Sequence, residues 1–270
     1  MTETVGTSEH VHANGLRHHV LSYGQGAAPL LILPGITSPA ITAEFIACRL
    51  AERYRVHVPD LRGRGSTDTP PAGHYTLEHY ADDVAGLVEA LELRDPVLLG
   101  HSLGARIAAA YRIRHGAGRS PLVLVDPPLS GPGRDPYPTS RAAFLAQLDE
   151  AARGTTADEV GKYYPKWPRR ELELRARVLS TCDRTAVVET HEGFEREDFF
   201  AYWQRLDGSV ALIRGAESPV VSESGARELA ESNPEVPIST VAAAGHMVPW
   251  DNFDGFCAAV DHALAVVDER

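Results

Sequence analysis

Cysteine is scarce in this chain of 270 residues: Cys48, Cys182 and Cys257 stand far apart and are odd in number. That excludes a disulfide framework or a CxxC metal pair and leaves buried or partly buried free thiols as the expectation. No apolar run approaches the ~18 residues of a membrane span. The opening MTETVGTSEHVHANG is polar, without the hydrophobic centre of a secretory signal, so the expected compartment is the cytoplasm. Positive charge is also short. Twenty-six Lys and Arg face 37 Asp and Glu, a formal charge of −11, which argues against a nucleic-acid or anionic-membrane binder. It leaves a small-molecule substrate open, because one site can be locally basic in an acidic protein.

What is present is core material, 43% hydrophobic against 23% charged, in an alternating order. Asn14-Gly15 between two alternating segments signals a hairpin. Buried strands are expected at PLLILPG, at 55–60, 96–102, 121–126 and 209–215, and finally within 236–246. Between and after them, 43–54, 77–93, 103–116, 222–233 and 252–269 carry apolar residues at helical spacing. This pattern predicts an α/β fold, a mostly parallel sheet flanked by helices. From 130 to 206 no inner strand is evident. Three helix-like stretches there (140–154, 169–183 and 196–206) predict a helical lid inserted into a core of 1–129 and 207–270, with LSGPGRDPYP as its hinge.

The chemistry starts at GHSLG, residues 100–104. A G-x-S-x-G match arises by chance in roughly one chain in ten of this size. Its setting is more specific: it follows the strand PVLL and opens the helix LGARIAAA, the strand–turn–helix context of a nucleophile elbow. Gly100 and Gly104 clear space around a tight turn that lifts Ser102. A serine hydroxyl needs a base. Of twelve histidines, His10, His12, His18 and His19 are expected on the surface of the first hairpin. His246, in AAAGHMVPWDN after the last strand, stands where a base belongs. Asp126 ends the strand LVLV, and a carboxylate there is costly to bury without a partner; His246 would supply one. At the more usual acid position, in GAESPVV, this chain has Ser218, with Glu217 as the fallback acid. An oxyanion hole is expected from the backbone N–H groups of Ile36, in LPGITSPA, and Leu103.

LPGITSPAIT, PDLRGRGSTD, LLGHSLGAR, LVDPPLSGPGR and AGHMVPWDNFDGF together resemble the α/β-hydrolase superfamily, and within it the N-formylmaleamate deformylases (deamidases) of bacterial nicotinate degradation. The resemblance covers both halves of the core; the lid matches more loosely. It implies an amidohydrolase with Ser102, Asp126 and His246 as its triad, cleaving a formyl C–N bond through a formyl-serine, without metal or organic cofactor. The substrate's carboxylate calls for an arginine, with Arg62, Arg64, Arg106, Arg134, Arg169 and Arg170 as candidates. Trp167 and Trp250 are candidate pocket walls. An esterase, lactonase or C–C bond hydrolase with the same triad is the alternative; a non-catalytic receptor on this fold is a further one.

Overall fold

The structure, a computed structural model, describes residues 4–116 and 120–268; positions 1–3, 117–119 and 269–270 of the expected core, including the end of the last expected helix, lie outside the described residues. Eight strands, β1 (Thr7–Ala13), β2 (Leu16–Tyr23), β3 (Ala28–Leu33), β4 (Tyr54–Pro59), β5 (Val97–His101), β6 (Leu122–Val125), β7 (Val210–Gly215) and β8 (Ile238–Val241), form one sheet in the order β1-β2-β4-β3-β5-β6-β7-β8. β1–β2 and β2–β4 pair antiparallel, and every other pair is parallel. The β1–β2 turn places Asn14 and Gly15 at positive φ, the requirement that makes Asn-Gly a hairpin signal.

The inner strands are buried on both faces, yet their side chains still alternate. Leu31, Leu33, Leu98, Leu122 and Leu124 pack into one apolar layer. Leu30, Ile32, Leu99, Val123 and Val125 pack into the other. Helices α2 (Leu77–Ala90) and α3 (Leu103–His115) cover the first face, and α1 (Glu44–Leu50) the second. α1 is shorter than expected. Residues 40–43 wind as a 3-10 turn before it, and Tyr54 opens β4 instead of closing the helix.

Five helices lie between β6 and β7: α4 (Arg141–Ala152), α5 (Ala157–Tyr163), α6 (Arg169–Val178), α7 (Arg184–Arg196) and α8 (Phe199–Trp203). α5 and α7 are additions to the sequence reading. Each has a readable start: a capping box of Thr156 with Glu159, and Asp183 accepting from Ala186 N–H. β7 leads to α9 (Glu223–Ser232); after β8 come a short α10 (Val248–Asp251), also not expected, and α11 (Phe253–Asp268), which covers the second face. No described helix is long and apolar enough to cross a membrane.

The chain order reverses at β3, which lies between β4 and β5. At such a switch point the loops leaving two neighbouring strands diverge to opposite faces and open a crevice at their carboxyl ends. Here those loops begin at Pro34 and Ser102.

Two expectations about exposure change. His18 is buried, its Nε2 3.6 Å from the Asp83 carboxylate. Cys48 is exposed, whereas Cys182 is buried. Gly35 has no positive φ, and a Cβ there would meet only ordinary contacts at 3.6 Å, so the turn itself does not demand glycine.

Two buried imidazoles bear on stability. Burial, with Arg55 nearby, lowers His57 to about 4; burial, with His246 beside it, lowers His101 to about 3. The unfolded chain takes up these protons near the ordinary value of 6.5, while the folded chain refuses them. Their contribution is therefore complete above about pH 6.5 and is lost as pH falls, by about 1.4 kcal/mol per pH unit for each ring. Urea unfolding at pH 7, 6 and 5 should show this slope, and His57→Gln should remove about half of it. An unchanged slope in that variant would assign the acid lability to other groups.

Candidate active site

β5 ends at His101 and α3 begins at Leu103, so Ser102 alone makes the turn, at φ 56° and ψ −117°. That conformation is strained for a residue with a Cβ. It is possible because its neighbours at two residues' distance are bare: a Cβ on Gly100 would run into the backbone of Gly104 and Ala105, and one on Gly104 into the Leu33 carbonyl. Ser102 N–H donates to Val125 O at 2.8 Å. Its Oγ lies 3.0 Å from His246 Nε2.

His246 Nδ1 lies 2.7 Å from Asp126 Oδ2. Asp126, fully buried and at φ 48° just past β6, is the carboxylate whose burial needed explaining. Besides the imidazole it accepts Ser218 Oγ–H at 2.5 Å and Gly215 N–H at 3.3 Å. Ser218, the residue at the usual acid position, thus supports the acid instead of replacing it. Glu217 points away, exposed and paired to Lys166 at 2.8 Å. The carbonyl of His246 accepts His101 Nε2–H at 2.9 Å, which makes Nδ1 the bare nitrogen of that neutral ring.

The cleft above Ser102 measures about 470 Å³ and is lined among others by Ile36, Thr37, Tyr137, Phe144, Gln147, Tyr164 and Arg175. The N–H groups of Ile36 and Leu103 both donate to no protein acceptor among the described residues. Leu103 N–H is also the first of α3, where the helix dipole favours negative charge.

None of the expected arginines lines this cleft. Arg62 is buried in a bidentate pair with Asp83, at 2.6 and 2.5 Å. Arg64 bonds Ile36 O and Tyr80 Oη. Arg106, fully buried, ties α3 to the inserted helices through the carbonyls of Ser130, Phe194 and Glu197. Arg134 pairs with Glu228, Arg169 with Asp158 and Glu173, and Arg170 with Glu44 and Glu171. Each already has an acceptor where it stands. Trp167 and Trp250 stack on each other, centroids 5.2 Å apart, and neither lines the cleft; Trp250 lies against the His101 ring, centroids 5.5 Å apart.

Two residues of the cleft were not anticipated. Arg175 in α6 is 4% exposed, donates to Thr37 O, Thr37 Oγ1 and Gln147 Oε1, and leaves Nε without a partner. No carboxylate among the described residues pairs with it. Tyr137, in the Pro-rich link before α4, sets its hydroxyl 3.2 Å from His246 Nε2. Among the described residues no group of three or more His, Cys, Asp or Glu could hold a metal ion.

Known proteins resemble this chain over most of its length. A profile described as "Alpha/beta hydrolase family" matches residues 30–259. N-formylmaleamate deformylase of Pseudomonas putida is 38% identical over 258 residues, 94% of this chain and 96% of that protein. A crystal structure of N-formylmaleamic acid deformylase from Pseudomonas putida superimposes with a TM-score of 0.87 at 41% identity, covering 94% of this chain and all of the other. 2-(Acetamidomethylene)succinate hydrolase of Mesorhizobium japonicum is 28% identical over 83% of this chain and 84% of its own length. With an elbow serine at the switch point of a mostly parallel sheet and a match spanning most of its length, the chain belongs to the alpha/beta hydrolase family.

Proposed function

We propose that this protein hydrolyses the C–N bond of a small acidic amide, N-formylmaleamate, to maleamate and formate. The observation that carries the reading is the unbroken row Ser102 Oγ–His246–Asp126 opening into the same cleft as the Arg175 guanidinium. Likeness to the Pseudomonas putida deformylase supplies the substrate.

Ser102 attacks the formyl carbon while His246 Nε2 takes its proton. Asp126 holds Nδ1–H, which keeps Nε2 bare beforehand and stabilises the imidazolium afterwards. The oxyanion sits on the N–H groups of Ile36 and Leu103, each worth roughly 3 kcal/mol in such sites. Collapse releases maleamate once its nitrogen is protonated. Water, deprotonated by the same imidazole, then attacks the formyl-serine and frees formate. Residues 130–206 act as a lid on a core of 1–129 and 207–270, and the reaction runs in the cytoplasm, in keeping with free cysteines.

Arg175 takes over the carboxylate-binding role for which the sequence offered other arginines. A buried guanidinium that borders the cleft beside Ser102, with neutral acceptors only and a free Nε, is poised for an anion there. Arg175→Gln should raise KM for N-formylmaleamate about 100-fold, the loss of one charge-assisted contact, and leave KM for p-nitrophenyl formate within about threefold. Equal effects on both would make Arg175 a packing residue. The test of the function is formate release by the purified protein from N-formylmaleamate. A strong preference for short p-nitrophenyl esters would favour an esterase.

A further inference from the structure

His246 Nε2 is approached by two hydroxyls, Ser102 Oγ at 3.0 Å and Tyr137 Oη at 3.2 Å. A neutral imidazole whose Nδ1–H is held by Asp126 offers one lone pair there, so only one hydroxyl can donate to it at a time. The triad explains the serine and leaves the phenol unaccounted for.

Tyr137 is 5% exposed and its ring is fixed by Phe194, Phe144 and His191, with centroids 4.9, 6.2 and 6.0 Å away. It borders the cleft together with Ser102 and His246. Its hydroxyl is hydrogen-bonded to the Ser102 hydroxyl as well as facing His246 Nε2, so its protein partners are the two triad groups that exchange the proton. Such a group is held where a substrate meets it, beside both the nucleophile and its base.

We propose that Tyr137 is a catalytic residue that carries the proton from His246 to the leaving nitrogen. The inference rests on the amide reaction proposed above. After attack, the serine's proton is on Nε2. Returned to Oγ, it regenerates substrate. Passed to Tyr137 Oη, while the phenol's own proton moves to the amide nitrogen, it drives the reaction forward. The C–N bond then breaks with its electron pair on that nitrogen, the oxyanion becomes the formyl carbonyl again, and Tyr137 ends as a neutral phenol. Burial pushes the Tyr137 phenol up, against the opposing influence of the Ser102 hydroxyl, so it stays protonated between turnovers.

A relay to the leaving group matters for an amide and not for an ester whose leaving group departs as a stable anion. Tyr137→Phe keeps the ring and should melt with the parent. It should lower kcat for N-formylmaleamate about 100-fold, a common scale for one acid–base group, and kcat for p-nitrophenyl formate by less than about threefold. Equal losses on amide and ester, or no loss on the amide, would overturn the relay. If the parent protein leaves N-formylmaleamate untouched, the substrate assignment fails by itself, and p-nitroformanilide against p-nitrophenyl formate decides the tyrosine's role. A parent that cleaves esters and no amide overturns both.

Discussion

Ser102→Ala is expected to lose about six orders of magnitude in turnover, leaving only what the oxyanion donors and binding supply. Folding should not suffer with it. Serine at φ 56°, ψ −117° stores strain of about 1–3 kcal/mol, and its hydroxyl's one protein contact in the triad is with His246. Alanine keeps the strain; glycine relieves it. Ser102→Gly should therefore resist denaturant better than Ser102→Ala, the reverse of the usual order, where glycine is the weaker residue by about 0.5–1 kcal/mol. Burst-free kinetics with purified variants and urea titrations check the two halves separately. More than about 1% residual turnover in Ser102→Ala would point to another nucleophile.

Asp126→Asn is expected to lower kcat about 10⁴-fold while the protein stays folded. The cause is a reversed hydrogen bond. With Nδ2 of asparagine turned to His246, Nδ1 must accept, the proton moves to Nε2, and Ser102 loses its base. The buried site stays folded because the amide matches the carboxylate in shape and Gly215 N–H still finds an oxygen; the cost falls on Ser218 Oγ, which already accepts from Val220 and Val221 N–H and loses its acceptor at 2.5 Å. Glu217→Gln is the control. Its carboxylate pairs with Lys166 at the surface, so turnover should hold within about twofold, since exposed pairs contribute little. A silent Asp126→Asn beside an inactive Glu217→Gln would exchange the two roles.

The residues of the proposed triad could be read in order along the chain because each belongs to a local pattern. Gly100-x-Ser102-x-Gly104 joins a strand to a helix; Asp126 closes an apolar strand; His246 follows the last strand in a run of small residues. The arginine that lines the cleft was not legible, for the opposite reason. α6 carries Arg169, Arg170, Arg175 and Arg177, all at plausible spacings, and only the rotation of that helix against α4 and the Thr37 loop turns Arg175 inward. Buried Arg62, Arg64 and Arg106 are spent on Asp83, Tyr80 and a set of carbonyls, contacts that join distant parts of the chain. Tyr137 lay in a link read for its prolines. α5 carries its own start signal in the sequence, the capping box of Thr156 with Glu159.

By itself, then, the order of residues determined the layered α/β frame and the three strand ends where reactive groups emerge. Those depend on strand periodicity, backbone clearance and connectivity, which are short-range. The tertiary structure alone decided which guanidinium borders the cleft, which phenol meets the imidazole, and that Ser218 braces Asp126. Each of these is a contact between segments far apart in the chain, set by how inserted helices pack over the sheet, and side-chain type cannot encode it in advance.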